Sequence, residues 1–342
     1  MTRPIKTYWL TGSALLALSS PAAADEADRR QALFGDVHVH TGLSFDAYIF
    51  GIRRTPDDAY RYALGESVRH ASGYDIQLKG GALDFYAVTD HSEYLGVLPA
   101  MDDAASPMSA IDYAKDMFSS ARDKIAAAFG KVFQSITSGK PIPEMDNRDV
   151  VGSAWMELKS AADRYYQPGK FTTFTGYEYT AQPGFGNLHR VVLFKGARVP
   201  DQPFGALDSL NPEDLWAWLD ANRAKGIDGI AIPHNSNVSD GRMFQFTDFA
   251  GKPIDNAYAE TRMRNEPIVE MSQVKGTSDT HPLLSPNDEW ADFETYDTLL
   301  GTDIKGKTDG GYIRQALQRG LAIEEKTGRN PYQFGLIGSS DT

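Results

Sequence analysis

Residues 33–40 read Leu33-Phe34-Gly35-Asp36-Val37-His38-Val39-His40, and the fold turns on them. Side chains alternate along extended backbone, so this stretch predicts a strand with Val37 and Val39 on one face and Asp36, His38 and His40 on the other. Two imidazoles a pleat apart suit two ligands on one metal ion. The alternative is a pair of core histidines satisfied by backbone carbonyls, but three polar groups on one face are costly without partners.

Working outward, short apolar runs at 83–89, 171–179, 190–194, 227–233, 267–272 and 334–337 predict further strands. Thr55-Pro56-Asp57-Asp58 and Asn211-Pro212-Glu213-Asp214 are helix starts, each with a polar cap, Pro in the first turn and acids near the positive end. Helical periodicity fills 109–129, 150–165 and 311–327. Alternating strands and helices predict an α/β protein with a parallel sheet and helices outside it. The helical stretch 101–168 interrupts the alternation and reads as an insertion, a possible lid. Segments 181–187 and 236–265, rich in Gly, Asn and Asp, read as surface loops.

Composition narrows the chemistry. The 342 residues contain no Cys, so any metal sits on His, Asp and Glu, and thiol catalysis is excluded. Forty-six acidic residues against 34 basic ones give a net charge of −12, which argues against nucleic acid or an anionic membrane as partner. Arg3 and Lys6, an apolar run over 8–18 and the small residues before Asp25 describe a signal peptide at 1–24. The expectation is a periplasmic or secreted protein with a single domain over 25–342. The apolar run is too short to span a bilayer.

Of the seven histidines, His38, His40, His91 and His234 stand at or just past the end of a predicted strand, and His189 opens one. Strand ends are where α/β barrels gather their catalytic groups. Glu178 ends a mostly apolar strand and needs a partner there, either a metal or an Arg. His70 and His281 lie in turn-like polar context and read as surface residues.

Taken in order, Asp36-x-His38-x-His40, Thr89-Asp90-His91, Gly176-x-Glu178, Pro233-His234 and the Ser339-Ser340-Asp341-Thr342 end resemble the PHP (polymerase and histidinol phosphatase) superfamily of metal-dependent hydrolases. The likeness is closest to an exported branch described as a domain of unknown function, and it covers residue 33 to the end. It implies a distorted (β/α)7 barrel with up to three divalent metal ions. On that likeness, His38, His40, Glu178 and Asp341 hold the first ion, and Glu178 bridges to a second that is completed by His189 and His234. Asp46 and His91 belong to the third. The family pattern has a further His two residues beyond the Asp, so the likeness also implies an incomplete third site and a natural chain that continues past Thr342.

Imidazole and carboxylate ligands without sulfur suit Zn, Mn or Fe. Two bridged ions lower the pKa of a shared water, supply hydroxide near neutral pH and neutralise an anionic substrate. Hydrolysis of an anionic ester, phosphoester first, is therefore the expected reaction, with a small molecule as substrate. Lys275 and Arg190 are the candidate catalytic groups; Asn235 is a further substrate contact, and Glu270 a support behind a metal ligand. Two rivals remain open: hydrolysis of an amide, lactone or sulfate ester by the same hydroxide, and an exported metal-binding protein without catalysis.

Overall fold

The computed structural model describes residues 31–342; the leader read at 1–24 lies outside the described residues. In chain order the elements are β1 (Gly35–Asp36), α1 (Phe45–Ile49), α2 (Pro56–Ala63), β2 (Val68–Arg69), β3 (Asp75–Ile76), β4 (Phe85–Tyr86), α3 (Val97–Asp102), α4 (Asp112–Met117), α5 (Arg122–Ser138) and α6 (Arg148–Tyr165). They continue with β5 (Thr172–Thr173), β6 (Thr175–Tyr179), β7 (Arg190–Phe194), α7 (Pro212–Arg223), β8 (Gly229–Pro233), α8 (Asn256–Asn265), β9 (Ile268–Gln273), β10 (Gly276–Thr277), α9 (Ile313–Thr327) and β11 (Gly335–Gly338).

Strands β1, β4 and β5 pair in parallel, and β9 pairs in parallel with β11. The expected all-parallel sheet is corrected by β7, which runs antiparallel to both β6 and β8. No α-helix separates β6 from β7, so the chain can turn back beside itself instead of crossing over. Among the described residues the hydrogen-bonded strands do not close into a barrel. They nevertheless share an apolar centre of Val37, Ala87, Val191, Leu193 and Ile232, against which Phe85, Phe174, Ile230, Ile268 and Ile337 pack. Steps of two along each strand then lead from that centre to the polar residues: Ile230, Ile232, His234; Phe174, Gly176, Glu178; Leu193, Val191, His189. Gly176 is needed in its row, since a Cβ there would lie 2.7 Å from the Val192 carbonyl oxygen.

The strand expected over residues 33–40 has a regular ladder only at β1. Val37 packs in the inner centre whereas Val39 packs in the outer core, so the alternation breaks between them. The kink is held locally. Asp36 Oδ1 accepts from His38 N at 3.1 Å, and Thr89 Oγ1 accepts from Val39 N while donating to the Val37 carbonyl. The Thr89 hydroxyl thus bridges the break, while the Thr89 amide still donates to the Val39 carbonyl.

Both predicted helix starts form. Thr55 and Asp58 make a capping box on α2, and Asn211 Oδ1 accepts from Glu213 N to begin α7. The helix expected over 109–129 is two helices, α4 and α5, parted at residues 118–121, where Ser119 Oγ accepts from Ala121 N. Segment 236–265 is not simply a loop: it ends in α8, capped by Asp255, and its buried residues Arg262 and Asn265 gave no apolar stripe to read. Segment 181–187 is also drawn inward, with Ala181, Gln182 and Asn187 buried and the Asn187 amide donating to the Val238 carbonyl. No helix among the described residues is long and apolar enough to cross a membrane.

Candidate metal centre

Glu178, 1% exposed, is the hub. Its Oε1 lies 2.7 Å from His189 Nδ1 and 3.0 Å from His234 Nε2; its Oε2 lies 3.1 Å from His91 Nδ1, 3.2 Å from His40 Nε2 and 3.3 Å from His38 Nε2. Asp341 Oδ1 stands 3.4 Å from His38 Nε2 and 3.1 Å from His40 Nε2. Asp46, in the first turn of α1, brings Oδ2 to 3.2 Å from His91 Nε2. The eight residues singled out as metal ligands in the sequence therefore meet in one place, in three overlapping groups: His38, His40, Glu178 and Asp341; Glu178, His189 and His234; and His40, Asp46 and His91. A fourth group joins His38 and His234 to Glu270.

Neighbouring backbone and side chains aim these groups. Asp341 takes a left-handed backbone (φ 56°) and its amide donates to the His38 carbonyl at 2.8 Å, which sets residues 38 and 341 side by side. The His189 amide donates to Asn187 Oδ1 at 2.8 Å, so the Gly-containing loop before it fixes its entry. Asn235 follows His234 in a left-handed conformation (φ 49°) and accepts from Gln273 Nε2. Glu270 Oε2 sits 3.0 Å from His38 Nδ1. A carboxylate only accepts, so this nitrogen carries a proton, and with a metal bound Nε2 would be the ligand atom. Ser44 and Thr180 face the Nδ1 atoms of His40 and His91 at 2.9 and 2.6 Å.

The donor set fits divalent metal. Five imidazole nitrogens crowd one buried carboxylate, more than its two oxygens can pair in good geometry. His189 Nε2 and His234 Nδ1 are buried and have no hydrogen-bond partner, and His40 Nε2 lies close to Glu178 and Asp341 without good hydrogen-bond geometry to either. Four carboxylates, Asp46, Glu178, Glu270 and Asp341, face one nearby ammonium, Lys275, a net negative charge that bound divalent ions would offset. The local electrostatics express the same need. Burial pushes the Glu178 carboxyl up, but His91 and His234 hold it well below the ordinary value. Burial opposes charge on His40, yet Asp341 and Glu178 lift it to about 10. His189, pressed by burial, falls to about 4.

Lys275, in the turn after β9, pairs its ammonium with Asp341 Oδ2 at the rim. Arg190 corrects the sequence reading. It follows His189 on β7, so alternation turns it to the opposite face. There it is buried, with Nε 2.9 Å from Glu266 Oε1 and Nη1 donating to the Leu188 carbonyl, and it cannot meet a substrate at the cluster. Asp36 also stays out, accepting from the amides of His38 and Ser340. Asp90 accepts from Thr41 N and Thr41 Oγ1, which anchors the loop between His40 and α1. His70 and His281 belong to none of the four groups.

Sequence reasoning missed Thr180, Gln273 and an aromatic cavity of about 550 Å³ that opens onto Asp46, His91, Glu178, His189 and Lys275. Thr180 was findable, two residues past Glu178 on the same face. Part of the cavity wall is α5, from within the stretch read as an insertion.

No curated protein matches the chain. The profile of a family described as protein of unknown function (DUF3604) matches residues 27–342, nearly the whole sequence. The chain belongs to that family.

Proposed function

We propose that the protein is an exported, metal-dependent hydrolase of the PHP type that cleaves an anionic ester, with a phosphoester as the leading substrate class. One observation carries the reading: three overlapping His and carboxylate groups, two of them joined through Glu178 and two through His40, lie at the end of a cavity large enough for a small molecule. The apolar centre common to seven strand segments supports a barrel-like arrangement beneath them. His38, His40, Glu178 and Asp341 would hold one ion, Glu178 with His189 and His234 a second, and Asp46 with His91 and His40 a third. Bound Zn, Mn or Fe ions supply a nucleophilic water near neutral pH and offset charge on the ester.

The chain's own residues do the positioning. Glu270, Ser44 and Thr180 orient the imidazoles. Lys275 brings a positive charge to the rim, where it can meet an anionic group. A storage protein has no need of a cavity leading to its ligands, and this favours catalysis.

The test is a screen of chelator-free protein against aryl phosphate mono- and diesters, aryl sulfates and aryl acetates, with each metal added back and metal content measured. Two or more equivalents of metal and metal-dependent phosphoester cleavage are expected. Turnover that persists in fully stripped protein would count against the reading. Export is tested by sequencing the amino terminus of the mature protein, which should begin at Asp25.

A further inference from the structure

Helix α5 has two apolar faces. Ala128 and Val132 pack into the core, and Ile136 packs there while also lining the cavity. Ala126, Phe129, Gly130 and Phe133, spaced i, i+3, i+4 and i+7, instead line the cavity above the metal centre. Phe45 and Phe50 stand opposite, with ring centroids 6.4 and 6.0 Å from Phe129, and Phe45 lies 4.8 Å from the His91 ring. The aromatic wall thus runs without interruption to the cluster.

Gly130 is the telling residue. Glycine weakens a helix interior relative to alanine. A Cβ at Gly130 would meet no atom within 4 Å, and its backbone is not left-handed. Neither packing nor conformation calls for glycine, and a larger side chain there would project into the cavity it lines. An anionic head group alone would occupy the polar end and leave the aromatic end in contact with water.

We propose that the substrate is an anionic ester with a bulky apolar group, its anionic head beside Lys275 and the cluster, its apolar part against α5, and that Gly130 sets the size accepted. The identity of the head rests on the hydrolase reading; the apolar part rests on the cavity.

The test uses the metal-loaded protein and two ligands that cannot be hydrolysed at the ester position, ethylphosphonate and octylphosphonate, titrated calorimetrically. Burial of six further methylenes should make octylphosphonate bind roughly thirtyfold more tightly or better, with a negative heat-capacity change. Gly130→Leu should cut the octyl-to-ethyl affinity ratio by roughly tenfold. Gly130→Ala should raise the melting temperature by about 1–3 °C as helix propensity is restored. Equal affinity for the two phosphonates, or an unchanged ratio in a folded Gly130→Leu protein, overturns the inference. Ethyl and octyl phosphate turnover is read separately. Tight octylphosphonate binding without turnover sustains the apolar site and overturns the hydrolase reading, whereas turnover without chain-length preference does the reverse.

Discussion

Glu270 shows how one side chain can matter without offering itself to the reacting groups. It reaches His38 Nδ1 at 3.0 Å from the far side and leaves Nε2 toward Glu178 and Asp341. Glu270→Gln should keep the fold and lower metal affinity by roughly 10–100-fold, measured by competition with a chromogenic chelator. His38→Ala should lose metal and activity together, while His281→Ala changes neither. Lys275→Ala should leave metal content intact and raise KM about tenfold toward phosphoesters; lost metal would assign the ammonium to holding Asp341 in place. That these residues would share one place was legible because their spacing along strands puts them on one face at the strand ends. Arg190 misled because its neighbour His189 suggested proximity, although one step along a strand reverses the face.

Helix α8 is the element that the sequence concealed. What it buries is charge: Arg262 packs beneath the rings of Trp216, Phe244 and Tyr332, and its Nη2 lies 3.1 Å from Glu266 Oε2. Glu266 also takes Arg190 Nε and the Trp216 indole N–H, so one carboxylate holds two buried guanidiniums. Burial raises the Glu266 carboxyl, but Arg190 and Arg262 draw it below its ordinary 4.5. Its stabilisation is therefore complete above about pH 4.5 and is lost as pH falls from there through the folded-state value. Glu266→Gln should cost about 3–5 kcal/mol at pH 7 in urea unfolding and flatten stability below pH 4.5, since two buried cations lose their counter-charge. At α2 the elements were open to reading: Thr55→Ala removes a capping box whose residues stand in plain order, at a cost of about 1 kcal/mol.

Across the described residues, most of the longer strands and helices could be read from periodicity, but strand direction could not. An apolar run such as 190–194 carries no mark of which way its neighbours run; the length of the connecting segment decides. If the three His and carboxylate groups hold ions, the ions tie together α1 and segments next to β1, β4, β6, β7, β8 and β11, and metal removal should loosen the entire domain. A chelator is expected to lower the melting temperature of the loaded protein by several degrees, and re-addition to restore it, by the ordinary linkage of ligand to native state. An unchanged melting curve would place the ions outside the structural framework.

The hydrogen bond from Asp341 to the His38 carbonyl has a consequence in time. It joins positions 303 residues apart, and the second bond, from His40 N to the Thr342 carbonyl, repeats the stitch. Contacts so distant along the chain form late, after shorter loops have closed. Helices and hairpins can mature while His38 still lacks its carboxylate neighbour, so the centre is expected to assemble late in folding. In a stopped-flow refolding experiment, helical circular dichroism should recover ahead of metal uptake, with the lag marking the moment at which residues 38 and 341 meet.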